Sequence, residues 1–371
     1  MLQLLPPIYA IYRQPAGLGA LLRSRRSTIR LWWSAAVWAG RLAALAAVLG
    51  LMQIVAAAAV PAPVAAAVPA VPKAYVGIFN DNTVAVVDTG ANRVLGTIPV
   101  PTGPHGLVMS PDGRRVYASS DGASSVSVIS TLTDRVVSTI EVGRSPHGLA
   151  ISPDGRRVLV AVYGASQVAM IDTVRNEVVA RIPVGSPHNI AITPDGHRAY
   201  VASQVQGSAA LVVVDVASRS VVGRVALDNV PRALNFSPDG KQLYFTEAGV
   251  SAVQVLDPAS NTVKGQIPVG ASPHHPLFVG SGGTALVVVQ GPGQLAVIDT
   301  ASEAVTAVPV GQMPHWIAVS SESSLAYVTN ENSNDVSVVS LNNNKVVATV
   351  AITFLSAMDT TDTSLEFSLV T

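Results

Sequence analysis

The strongest constraint on this chain is that it repeats one unit of roughly forty residues. Pro104-His105-Gly106 opens the unit. Pro146-His147-Gly148, Pro187-His188-Asn189, Pro231-Arg232-Ala233, Pro273-His274-His275 and Pro314-His315-Trp316 reopen it, at spacings of 42, 41, 44, 42 and 41 residues. A fixed period in this range belongs to repeat architectures, where each unit buries its apolar face against the next. Within a unit, four short runs rich in Val, Ile, Tyr and Thr are separated by Gly, Pro, Asp and Ser. In the first complete unit the runs are Leu107–Met109, Arg115–Ser120, Val126–Ser130 and Arg135–Val142. No segment of 74–352 keeps a helical period. Four short strands per unit predict the blades of an all-β propeller.

The turns support this reading. Ser-Pro-Asp-Gly recurs at 110–113, 152–155 and 237–240, and Thr193-Pro194-Asp195-Gly196 is a near copy. Proline presets φ, aspartate accepts backbone N–H groups and glycine supplies a positive φ. The third strand ends in Asp88, Asp172, Asp215, Asp257 and Asp299, with Ser130 and Ser340 in the same slot. A short side chain there closes the following turn, which is a structural role. Residues 74–103 supply three strands and lack a first. Complete units follow near 104–145, 146–186, 187–230, 231–272, 273–313 and 314–353. The sum is seven four-stranded antiparallel blades, provided that 354–371 returns the missing inner strand. Ser364–Val370 is the best candidate, and closure of this kind removes the open sheet edge.

Residues 1–73 read differently. Arg23-Ser24-Arg25-Arg26 is a basic region, an apolar stretch runs from Leu42 to Val60, and small-residue sites such as Ala65-Ala66-Ala67 lead into an Ala/Pro linker. This order is that of an export signal. Left uncleaved, the apolar stretch is just long enough to span a bilayer, so the membrane enters only through the leader. Either way the repeats are expected outside the cytoplasm, in the periplasm or beyond it. The chain has no cysteine, which excludes disulfides, thiolate metal sites and covalent c-type haem attachment. Residues 1–70 hold six arginines and no acid, leaving 17 Lys/Arg against 23 Asp/Glu in residues 71–371, a net of −6. That balance is poor ground for binding a phosphate backbone.

In a four-stranded blade, the connections entering the first strand and leaving the second share one face. The Pro-His slots therefore ring one channel mouth. Around them stand loops that differ from unit to unit, such as Asp121–Ser125, Tyr163–Gln167 and Asn330–Asp335. Function is expected where a rigid scaffold carries variable loops. His105, His147, His188, His274 and His315 share the slot in five units, and a ring of imidazoles can hold Cu or Zn. A residue used once per blade can equally bond a neighbouring loop carbonyl, and we favour that role. The unit from 231 deviates: Arg232 takes the histidine slot, and Glu247 stands where the last unit has Asn330. The two form a local ion pair, or Arg232 anchors an anionic ligand. Trp316 packs between blades or stacks a ligand ring. Glu247, Asn330, Glu331 and Asp335 are oxygen donors of the kind calcium takes.

Tyr327-Val328-Thr329-Asn330, the Asp-Thr that ends several third strands, Ile182-Pro183-Val184-Gly185 and the Ser-Pro-Asp-Gly turns together resemble the YVTN-repeat β-propeller family over roughly 74–352. The resemblance implies a propeller and an exported protein. Relatives are similar to surface-layer or periplasmic binding proteins, and one branch binds single-stranded DNA. From residues and resemblance together we expect an exported, monomeric, non-enzymatic scaffold. It would bind a small ligand or a cell-envelope protein through the histidine-bearing face, with no cofactor beyond possible Cu or Zn. The alternative is a metal-dependent oxidoreductase or lactonase-like hydrolase at the channel mouth. Single-stranded nucleic-acid binding is a second alternative, disfavoured by the net charge and the scarcity of aromatics.

Overall fold

The computed structural model describes residues 72–320, 322–352 and 369–370, which fall in one compact unit spanning Ala70–Thr371. The leader readings and most of the tail lie outside the described residues. The described strands form seven sheets of four, each antiparallel throughout. Six sheets are continuous in sequence. The first of these runs inner to outer as Pro104–Met109, Arg115–Ser120, Ser125–Ser130 and Arg135–Glu141. The seventh joins Lys73–Ile78, Thr83–Asp88 and Arg93–Pro99 to Leu369–Val370, with Tyr75 opposite Val370 and Val76 opposite Leu369. The chain's end thus supplies the inner strand that its beginning lacks, and the ring closes inside the expected segment.

The inner strands begin earlier than the sequence suggests. Pro104 pairs with Ser120 and Leu107 with Ala118, so three steps on the inner strand oppose two on its neighbour. The same irregularity follows Pro146, Pro187, Pro231, Pro273 and Pro314. The Pro-His slot is therefore a β-bulge within the inner strand, where a preceding loop was expected. A bulge re-aims the side chains it carries.

The core lies between blades. Tyr117, Val126 and Val128 of one blade pack on Val158, Val160 and Ala169 of the next, and analogous clusters recur around the ring. Second and third strands are buried on both faces, whereas the outer strand Arg135–Glu141 alternates. Tyr75 donates its hydroxyl to Asp134 Oδ1 of the neighbouring blade at 2.6 Å, and Tyr200 does the same to Asn261 Oδ1 at 2.5 Å. At the turn end, Gly113, Gly155, Gly196 and Gly240 have φ near +70° (68°, 69°, 75° and 71°). Asp112 Oδ1 there accepts from the backbone of Arg114 at 3.1 Å. Asp172 accepts from the backbone N–H groups of Val174 and Arg175, which hold its carboxyl below the usual range, with the Arg157 guanidinium 2.7 Å away. The third-strand aspartates are turn closers.

Candidate functional site

The bulges bring the slot histidines together in one arc. Ring centroids are 3.5 Å apart for His105 and His147, 4.0 Å for His147 and His188, 4.3 Å for His274 and His315, and 6.2 Å for His315 and His105. Arg232 continues the arc, because His188 Nδ1 lies 3.1 Å from the Arg232 carbonyl. His147 Nδ1 lies at the same distance from the His188 carbonyl. A carbonyl only accepts, so both imidazoles carry hydrogen on Nδ1, and His147, held uncharged, keeps a lone pair on Nε2.

Hydroxyls of the second strands lock the bulges. Ser119 Oγ accepts from Gly106 N at 2.9 Å and donates to the His147 carbonyl of the next blade at 2.6 Å. Thr246 Oγ1 donates to the His274 carbonyl at 2.7 Å, and Thr329 Oγ1 accepts from Trp316 N at 3.1 Å. Sequence reasoning passed over these residues. Their signal was available: each stands two positions after a buried tyrosine, Tyr117, Tyr244 or Tyr327.

Burial and crowding fix the charge state. His147 is pushed well below the ordinary imidazole value, first by desolvation and then by His105, His188 and His315, with the bond to the His188 carbonyl opposing. His274 shifts the same way, through desolvation and then His315, His188, His275 and Arg232. His275 falls to about 3, through burial first and His315 second. These three rings are uncharged at neutral pH. His274 Nδ1 and His275 Nδ1 are buried without a hydrogen-bond partner among the described residues.

The remaining expected residues scatter. The Arg232–Glu247 ion pair does not form. Arg232 reaches the next blade, 3.5 Å from Gln290 Oε1, while Glu247 is buried against the Asn229 backbone, its carboxyl pushed up by desolvation. Glu247 pairs with Pro231, and Arg232 falls within the bulge that follows. Asn330 is fully buried and spends its amide on Asp335 Oδ1 at 2.6 Å and Ser337 Oγ at 2.9 Å. Glu331 Oε1 sits 2.7 Å from His315 Nδ1, both side chains about nine-tenths buried. Trp316 stacks on His275 of the neighbouring blade, with centroids 3.9 Å apart and planes at 18°. The four oxygen donors are thus divided between two blades. Among the described residues no group of three or more His, Asp or Glu is placed to hold a metal ion.

The profile of the family described as Cytochrome D1 heme domain matches residues 75–191, a stretch that contains His105, His147 and His188. No curated protein matches the chain. Among solved structures, the chain is similar to Kuenenia stuttgartiensis hydrazine synthase. The two share 22% identity over 70% of this chain and 89% of that one, with a TM-score of 0.65. It is also similar to dihydro-heme d1 dehydrogenase NirN in complex with DHE, at 19% identity and a TM-score of 0.59 over 76% of this chain and 64% of that one. A functionally unknown protein from Desulfotomaculum acetoxidans shares 15% identity, with a TM-score of 0.64 over 75% of this chain and 95% of the other. These likenesses fix the seven-bladed propeller. The heme-domain match corrects the expectation of a chain with no cofactor beyond copper or zinc, since the family it points to is defined by heme.

Proposed function

We propose that this chain is an exported propeller that holds an iron tetrapyrrole, without a covalent link, at its imidazole-lined mouth. Support comes from the heme-domain match over 75–191 and from a propeller neighbour whose title names dihydro-heme d1. The observation that carries the reading is the pair of uncharged rings, His147 and His274, within the imidazole arc. Iron takes an unprotonated imidazole nitrogen, and His147, with its hydrogen on Nδ1, keeps such a nitrogen on Nε2. A further buried nitrogen, His274 Nδ1, lacks a partner among the described residues. The donor set fits the group, and Arg232 offers a cation for a peripheral carboxylate.

In this reading ring nitrogens of His147, His188 and His274 would hold the iron. The carbonyls of His188 and Arg232 orient the first two, and Ser119 and Thr246 hold the bulges in register. Burial keeps water from His274, and His147 and His188 are partly buried. Bound there, the tetrapyrrole would supply an iron centre able to change oxidation state or take a small ligand. The absence of cysteine leaves axial ligation, stacking and ion pairing as the means of retention. We read the chain as a monomeric binding protein of the periplasm, delivered by its leader.

Titration of the purified protein with ferric protoporphyrin, followed by absorbance, tests this. The expected result is a saturable Soret shift. It weakens in Arg232→Gln and disappears when His147, His188 and His274 are all replaced by alanine in a protein that still melts cooperatively. A shift that never saturates, or that survives the triple replacement, argues for adventitious binding.

A further inference from the structure

Below the imidazole arc the inner strands enclose a second, separate space. It is a cavity of about 480 Å³, and none of the five slot histidines lines it. The side chains that line it are mostly aliphatic and aromatic and include no acid, lysine or arginine. Near the arc the wall is buried, as at Leu107, Leu149 and Ile190. At the turn end it is half-exposed, as at Met109, Ile151 and Ile192. The cavity is therefore a funnel that opens on the face of tight turns, opposite the histidines. Its volume lies within the range of ligand pockets, roughly 300–1,000 Å³.

Polar side chains in the wall are few. Asn189 Oδ1 accepts from Ile190 N and Asn235 Oδ1 from Phe278 N, so both carbonyls are engaged. The amide N–H groups of both remain as donors, alongside the Trp316 indole and His275. His275 lines the funnel, is 7% exposed, and lies flat on Trp316, which lines it too. Its Nδ1 is enclosed without a partner among the described residues, which leaves Nε2 as the nitrogen a guest can meet. An enclosed N–H left orphaned is rarer than an enclosed acceptor, which places the hydrogen on Nε2 and makes His275 a donor.

We propose that this funnel binds an uncharged, planar ring compound that carries a hydrogen-bond acceptor on its edge. No charged side chain lines the funnel, so no counter-charge offsets the desolvation of an ion. The His275–Trp316 pair offers a flat aromatic surface and ring N–H donors, the arrangement that suits a ring bearing a carbonyl oxygen or an aza nitrogen. The site differs from the tetrapyrrole mouth in position, polarity and the face from which it is reached.

Quinoline and naphthalene are matched probes, alike in shape and different in the one acceptor. Binding is read at about pH 8 by quenching of Trp316 fluorescence and by saturation-transfer NMR. Trp316→Phe serves as the reference because Trp32, Trp33 and Trp38 also emit. We expect saturable binding of quinoline, and of naphthalene more weakly. His275→Phe keeps the stack and removes the nitrogen, so it weakens quinoline about threefold to tenfold, the range of one hydrogen bond, and leaves naphthalene unchanged. Ala150→Phe and Val108→Phe fill the funnel. Each should reduce both probes strongly and leave the protoporphyrin titration as it was. The proposal is overturned if neither probe binds saturably to the unaltered protein. It is equally overturned if folded filling variants bind as before, or if His275→Phe changes both probes alike.

Discussion

The two ends of the channel are made by opposite ends of the same inner strands and share almost no chemistry. At the histidine end, bulged strands press imidazoles together under loops that differ from blade to blade. At the turn end, nearly identical Ser-Pro-Asp-Gly turns satisfy themselves and leave an apolar opening. One end carries polar groups whose protonation and pairing depend on neighbouring blades. The other is a set of turns closed chiefly by their own hydroxyl, aspartate and backbone groups, and tied to the next turn of the same blade by bonds such as Thr131 Oγ1 to the Gly113 carbonyl. The comparison teaches that regularity in a propeller marks what the fold needs. Function is to be sought where the ring crowds its side chains or interrupts its own pattern, as at Arg232, His275 and Trp316.

Acid should separate the two ends most strongly. His147, His274 and His275 have folded pKa values below the unfolded value of about 6.5. Between those values the unfolded chain binds protons that the folded chain refuses. Stability is then fully present above about pH 6.5 and falls as pH drops toward 4, by up to about 1.4 kcal/mol per pH unit for each ring. The turn aspartates Asp112, Asp154, Asp195 and Asp239 also have lowered values, from hydrogen bonds with the turn hydroxyl first and backbone N–H groups next. Their contribution is present above the unfolded carboxylate value near 4 and is lost only below it. Denaturant melts from pH 8 to 3 should show two successive losses. Replacing His147, His274 and His275 together should flatten the upper one alone.

Glycines sharpen the contrast next. A Cβ on Gly106 would meet the His147 carbonyl at 2.5 Å and Leu149 Cδ1 at 2.7 Å, whereas one on Gly113 would meet nothing within 4 Å. Gly106→Val should cost about 3 kcal/mol, since the backbone it meets cannot yield. Gly113→Ala should cost about 1 kcal/mol, from its φ of +68° alone. Chemical denaturation of both variants measures the gap. A smaller difference is expected for hydrogen bonds. Ser119→Ala strands Gly106 N and the His147 carbonyl in a buried place and should cost about 2 kcal/mol by the same melts. Least affected is the exposed Lys241–Asp239 pair at the turn end, 3.3 Å apart, whose removal should change stability by under about 0.5 kcal/mol.

Much of the fold was legible because its determinants are local. Turn chemistry at Ser110–Gly113, the β-rich runs and the period are all written within one unit. The closing strand followed from counting, since three strands at one end demand a fourth from the other. The bulge at Pro104–Leu107 was not legible, because it is a property of register between strands, and with it went the orientation of the slot. Arg232 and Glu247 looked like partners by position in the unit, yet they meet different neighbours. The cofactor expectation failed for a related reason. Noncovalent tetrapyrrole ligation needs one or two well-placed nitrogens and an apolar surround, and no spacing rule encodes either. Ser119 and Thr246 were readable in principle, as polar positions inside otherwise apolar second strands.

The central claim is that His147, His274 and His275 are uncharged imidazoles. Long-range ¹H–¹⁵N spectra of the histidine side chains, recorded from pH 8 to 5, test it directly. The account predicts that His147, His274 and His275 keep the shifts of neutral rings throughout, with His147 as the Nδ1–H tautomer. Titration of those three rings near pH 6.5, as for imidazoles in water, would contradict it.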